Sequence, residues 1–127
     1  MDGAHDHITE LVLAWPGTSA TTGSRGEWSF RIGKRELGHL HGDRVLHIGF
    51  PKATWHELFD AGRIGYHPVF PDKVGWAARD IRTADDVDDV VALLRLNYDR
   101  VVAAHPLEVA WHDRSLPENH RGAGRSQ

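Results

Sequence analysis

Ile8, Leu11, Val12 and Trp15 recur at the spacing of one helical face, and Pro16-Gly17 ends that segment. The small polar run TSATTGSRG, residues 18 to 26, reads as a loop. In EWSFRI the period changes to two: Trp28, Phe30 and Ile32 alternate with Glu27, Ser29 and Arg31, which predicts a strand. Gly33-Lys34 turns into a second strand, RELGHLH, and Gly42-Asp43 turns into a third, RVLHIGF. PKATWHELFDAG then predicts a short helix, opened by Pro51, closed by Gly62, with Trp55, Leu58 and Phe59 inward. From 63 to 82 the pattern is extended again, RIGYHPVF and GWAARDIR around the turn PDKVG, and Pro68 marks the first as short or at an edge. Thr83 caps the longest helix. Val87, Val90, Val91, Leu94, Tyr98, Val101 and Val102 form its apolar face, and Asp85, Asp88, Asp89, Arg95 and Arg100 are left for solvent.

The order helix, three-strand meander, helix, two strands, long helix predicts an α+β fold: an antiparallel sheet of about five strands with helices on one face. At 127 residues the chain suits one core. We read a single domain over residues 1–105 and a C-terminal extension over 106–127, where periodicity stops after His105-Pro106 and residues 118–127 read as a frayed tail.

A net charge of -3 supplies no strong overall field toward nucleic acid or anionic lipid. The absence of cysteine excludes disulfides, thiolate nucleophiles and Cys-ligated zinc, so a metal would need His, Asp or Glu. No run approaches the roughly 18 apolar residues of a membrane span, and the N-terminus lacks a basic leader; the expectation is a soluble cytoplasmic protein without a membrane partner. GxGxxG after a strand, GxxxxGK, HExxH and GxSxG are all missing.

Candidate chemistry gathers in GHLHGDRVLHIGFPK. His39 and His41 share a strand face. A three-residue loop, Gly42 to Arg44, sets His39 opposite His47 and Leu40 opposite Leu46; a two-residue loop would set His39 opposite Leu46. Burial favours the first, with Leu40, Leu46 and Ile48 on one side and three imidazoles on the other. The preceding turn stays open: two residues at Gly33-Lys34 pair Arg31 with Glu36 but put Trp28 on the histidine face, whereas a longer turn or a bulge at Gly38 reverses that.

Three imidazoles with Glu36 or Asp43 have the donor types for a divalent metal, yet HxH on a strand is a common accident in a chain with ten histidines, and metal is the disfavoured reading. The favoured one is a pocket where His39 and His41 act as catalytic or proton-transfer groups, with Glu36, His47, Lys52 and His67 as ligand-binding residues. A polar, solvent-facing hairpin is the plain alternative. Lys52 begins a helix, where backbone N–H groups favour an anion, although such lysines are more often simply exposed. His67 has a loop-capping role as its competing explanation. Trp76 is expected in the core beside the long helix, with Tyr98, and a stacking platform for a ligand is its lesser alternative. The run Asp85 to Asp89 is expected to be a solvated helix start, and Trp111 to fold back on the domain.

WPG at 15–17, RELGHLHGD at 35–43, FPK at 50–52, GRIGYH at 62–67, GW at 75–76 and LLRLNY at 93–98 resemble the small bacterial and fungal proteins of the luciferase family, over residues 8 to 100. The resemblance implies no settled reaction. Flavin-dependent bacterial luciferases are barrels of about 250 residues or more, and nothing here supplies a flavin site. The order of sheet, GW, extended segment and long helix also resembles, distantly, the MmcQ/YjbR group, which implies a frataxin-like layout and suggests DNA binding. Net charge argues against nucleic acid, though Arg25, Arg31, Lys34 and Arg35 offer basic groups at one hairpin. The expected function is therefore binding of a small anionic or polar ligand, as in a minor enzyme, at the histidine face; the competing class is a non-catalytic protein- or nucleic-acid-interaction module.

Overall fold

The computed structural model describes residues 1–113. Helix α1 (Ala4–Leu13) leads to β1 (Ser19–Thr22), β2 (Trp28–Ile32), β3 (Arg35–His41) and β4 (Val45–Gly49). Then come α2 (Lys52–Asp60), β5 (Gly65–Tyr66), β6 (Trp76–Asp80), α3 (Ala84–Ala104) and α4 (Pro106–His112). Among the described residues the strands form one antiparallel sheet in the order β1-β2-β3-β4-β6-β5. The α+β layout is the expected one, with six strands in place of about five.

The extra strand is β1, formed within the segment read as a loop. Ser19 to Thr22 pair with Arg31 to Trp28, so the hydrogen bonds come from the open edge of β2 and not from any apolar alternation in β1 itself. At the opposite edge β5 has only two residues, consistent with Pro68 close behind it. The core lies between the sheet and helices α1 and α3. Phe30, Ile32, Leu40, Leu46, Ile48 and Ala77 meet Ile8 and Val12 of α1 and Val87, Val90, Leu93, Leu94, Tyr98 and Val101 of α3, and Trp55 and Leu58 of α2 join the same cluster. Among the described residues no helix is long and apolar enough to cross a membrane.

Two local features aim the strands. Gly42, at φ 59°, begins the three-residue loop, and the register is His39 opposite His47 and Leu40 opposite Leu46, as burial required. On the other side of β3, Phe30 pairs with Gly38 and Arg31 with Glu36, which leaves Leu37 as an extra, bulged residue. Both readings of that turn are thus partly right: Arg31 does meet Glu36, and the bulge still sends Trp28 to the core side, where its Nε1–H donates to Thr9 Oγ1 at 3.0 Å. The bulge also puts Glu36 and His39 on one face despite their i, i+3 spacing. Gly38 is tightly backed, since a Cβ there would lie 2.9 Å from Leu94 Cδ2 and 3.3 Å from His47 O. Asn97 of α3 ties the bulge down, its Nδ2 donating to Leu37 O at 2.9 Å and Gly49 O at 2.8 Å.

Helix α3 starts with a reciprocal capping box between Thr83 and Asp86. The acidic start is less solvated than expected. Asp86 binds Arg79 at 2.6 Å and Asp89 binds Arg63 at 2.6 Å, because those arginines reach the helix from the neighbouring strands and loop. A further correction concerns residues 106 to 112, which form α4 where periodicity was read as ending. Pro106 suits a first helical turn, Val109 is buried, and Arg35 Nε meets Glu108 Oε2 at 2.9 Å. Seven residues are too short a window for a helical period to declare itself. Trp111 is half-buried on this helix. The frayed tail expected over 118–127 lies outside the described residues.

Candidate functional site

The pleat of β3 and β4 delivers His39, His41 and His47 to the sheet face opposite α1 and α3. His67, one residue past β5, approaches from the edge. His41 Nε2 and His47 Nδ1 are 3.1 Å apart. The ring centres are 5.1 Å apart for His39 and His41, 5.4 Å for His39 and His47, and 4.6 Å for His41 and His47, all edge-on. His67 lies 4.1 Å from His47, centre to centre. One nitrogen from each of His39, His41 and His47 can be chosen so that all three lie within 4.8 Å of one another.

Hydrogen bonds outside the cluster assign tautomers. His39 Nδ1 is 3.1 Å from Glu36 Oε1, which also accepts from Ser29 Oγ at 2.7 Å. A carboxylate only accepts, so His39 donates from Nδ1, and its neutral ring carries the lone pair on Nε2. His67 Nδ1 accepts the Val69 backbone N–H at 3.1 Å, so the neutral ring keeps its proton on Nε2.

Electrostatics favour neutral rings at His41, His47 and His67. Burial, followed by repulsion from His67, His41 and His39, pushes the His47 pKa down to about 4. Burial and the nearby His39 lower His41, and burial with His39 and His41 lowers His67. Glu36 feels burial most, in the upward direction, yet ends below the usual carboxylate range because hydrogen bonds from His39 and Ser29 and the charges of His39 and Arg31 together outweigh it.

A hollow of ≈ 420 Å³ opens beside the rings, lined in part by His41, His47, Tyr66, Pro68 and Asp80. Of the residues singled out from sequence, His39, His41, His47, His67 and Glu36 come together. Lys52 does not join them: it is exposed in the first turn of α2 and makes no hydrogen bond or ion pair with the imidazoles. His67 has both roles weighed for it, capping its own loop through Nδ1 and packing on His47. Asp43 turns away, accepting the His5 backbone N–H at 2.8 Å.

Trp76 corrects the expectation of a core position. It pairs with Gly49 on the histidine face, is 39% exposed, and stands 6.3 Å from the His67 ring and 6.2 Å from Phe70. Its carbonyl, not its indole, serves the core, by accepting from Trp55 Nε1 at 2.8 Å. Ser29 and Asp80 went unnoticed from sequence. Alternation in β2 was the available signal for Ser29, whereas Asp80 reaches the hollow only through the pairing of β6 with β4.

A larger hollow of ≈ 500 Å³ near Arg63, Arg79 and Arg82 looks basic, but each of these arginines is already paired, with Asp89, Asp86 or Asp80. The basic groups at the first hairpin are also partly engaged, Arg35 with Glu108 and Arg31 with the Lys34 carbonyl. The unusual chemistry is at the imidazoles.

Comparison with known proteins adds one result. The sequence model of the Luciferase domain matches residues 34–97, half of the chain, spanning β3 to most of α3 and including every imidazole of the cluster. No curated protein and no solved structure gives a match, and the MmcQ/YjbR resemblance gains no support. The chain belongs to the Luciferase-domain family.

Proposed function

We propose that the domain binds a small polar ligand in the hollow beside His41 and His47, with the imidazole cluster as its recognition and proton-transfer group. The observation that carries this reading is a cluster of four imidazoles, backed by the Glu36–Ser29 pair, of which His41 and His47 line an open concavity. Four polar rings placed together on a strand face repel one another when charged and need partners when neutral; a polar ligand supplies those partners. Because His41 and His47 favour the neutral state, an anionic ligand binds them with uptake of a proton, and a neutral polar ligand binds without it. The coupled His41–His47 pair has the reach and the proton-exchange capacity for acid–base work on such a ligand.

The test is an NMR screen of small carboxylates, inorganic phosphate and polyols, read at the imidazole C–H resonances of the full chain. A hit is expected to move His41 and His47 together and to be lost in His41→Ala, with little change in melting temperature. Hits that leave these resonances still, or that survive the substitution, refute the reading.

The interaction-module reading rests on a different observation, the exposed apolar group Val69, Phe70 and Trp76 beside His67. It predicts that Phe70→Ser abolishes partner capture while His41→Ala leaves it intact.

A further inference from the structure

We infer that His39, His41 and His47 form a binding site for one divalent transition-metal ion of the zinc class, with Glu36 positioning His39 from behind. The inference deepens the ligand-site reading, on which it rests, by naming what the three rings hold at the edge of the hollow.

Three features carry it. The spacing is right: a tetrahedral ion with metal–nitrogen bonds of about 2.05 Å needs nitrogens about 3.3 Å apart and ring centres about 5.2 Å apart. The His41–His47 nitrogens stand at 3.1 Å, and the three ring-centre separations run from 4.6 to 5.4 Å. One nitrogen from each of the three rings already falls within 4.8 Å of the other two.

The tautomer is also right. Glu36 accepts from His39 Nδ1, which points the lone pair of Nε2 away from the carboxylate, the arrangement by which a carboxylate orients a metal-binding histidine. Ser29 holds Glu36 in that role. His67 is not a ligand here, since Nδ1 is occupied by the Val69 N–H, which leaves the ring proton on Nε2; it packs on His47.

Finally, the donor set selects the ion. Among the described residues the grouped donors are three imidazoles, with Asp80 in the adjoining hollow, and such a set suits zinc, cobalt, nickel or copper and not magnesium or calcium. Three protein ligands leave a fourth position for water or a polar ligand, whose oxygen the ion polarises. The sequence motif HxH was weak by itself; the partner strand's His47 and the bulge that sets Glu36 behind His39 turn it into a directed set.

The test is a Co²⁺ titration of the full chain, purified without a histidine tag and treated with chelator, followed by visible absorption and by competition with Zn²⁺. One Co²⁺ per chain with the intense bands of a tetrahedral site is expected, displaced by Zn²⁺ and unaffected by excess Mg²⁺. Glu36→Gln is expected to weaken binding by about 10- to 100-fold, and His41→Ala by more. The double variant His5→Ala/His7→Ala, remote from the cluster, is expected to bind as the parent does. Absence of tetrahedral Co²⁺, or retention of it in a His41→Ala protein whose circular dichroism is native, overturns the inference. If metal fails while small polar probes still move the His41 and His47 resonances, the ion is wrong and the hollow reading stands; if both fail, the site reading falls with it.

Discussion

Replacing Asn97 by leucine removes the two side-chain hydrogen bonds that tie α3 to the sheet beneath the histidines. The amide is 3% exposed and donates to Leu37 O, the carbonyl of the bulged residue, and to Gly49 O at the end of β4. Leucine has the same branched skeleton with bulkier methyl groups, so no cavity forms and crowding is the lesser cost. The main cost is two carbonyls stripped of a donor, about 1–3 kcal/mol for one left buried and unsatisfied. Leu37 O is in the interior and bears the full cost, whereas the contact to Gly49 O is only partly buried and water recovers part of the loss. Leucine's better helix propensity returns about 0.5 kcal/mol. The expected net destabilisation is about 2–3 kcal/mol, which at a urea slope of about 1.5 kcal/mol/M lowers the midpoint by about 1.5 M. Asn97→Asp keeps the shape but sets one carboxylate oxygen against both carbonyls, and is expected to be worse than leucine. Urea unfolding followed by circular dichroism measures both. A leucine variant within about 0.5 kcal/mol of the parent, or an aspartate variant more stable than the leucine one, would show that the bulge does not depend on this amide.

In chelator-treated protein, the neutral His47 imidazole makes acid destabilising. His47 is held at about 4 against an ordinary 6.5, so the unfolded chain takes up the proton first; stability is complete above pH 6.5 and falls as pH drops toward 4. The loss is on the order of 3 kcal/mol across that window, and urea midpoints that stay flat between pH 7 and pH 4.5 would contradict it. Thr83→Ala removes the capping hydroxyl that accepts from the Asp86 N–H, and is expected to cost about 1 kcal/mol in the same assay. Asp86 is held below its ordinary value by hydrogen bonds from the Arg82 backbone, Arg79 and the Thr83 backbone, against burial. Its share of stability is present above pH 3.8 and is lost as pH falls through the lowered value, so Asp86→Asn is expected to flatten the acid limb of the stability profile.

Much of this molecule was legible from residue order because its strongest signals are local. The capped start of α3 and its apolar stripe from Val87 to Val101 need only a helical period. The β3–β4 hairpin needed a two-residue period and one rule, that leucines go inward, to choose the loop that set His39 against His47. Where the local signal was weak, the reading failed for identifiable reasons. Strand β1 carries small polar residues and exists because β2 offers it an edge, and α4 is too short for its period to be read. Trp76 is expected in the core beside the long helix, but the partner of its strand position is Gly49 on the histidine face.

The sequence by itself determined the α+β order of elements, the inward face of the central hairpin, and the presence of imidazoles on its other face. Only the tertiary structure decided that Glu36 stands behind His39, that His67 closes on His47, that Asp80 reaches the hollow and that Lys52 does not join the imidazoles. The physical reason is the range of the interactions. Periodicity is imposed by bonds between near neighbours, while the site depends on a bulge, an edge strand and a cross-strand register that hold only when helix α3 and the sheet pack together.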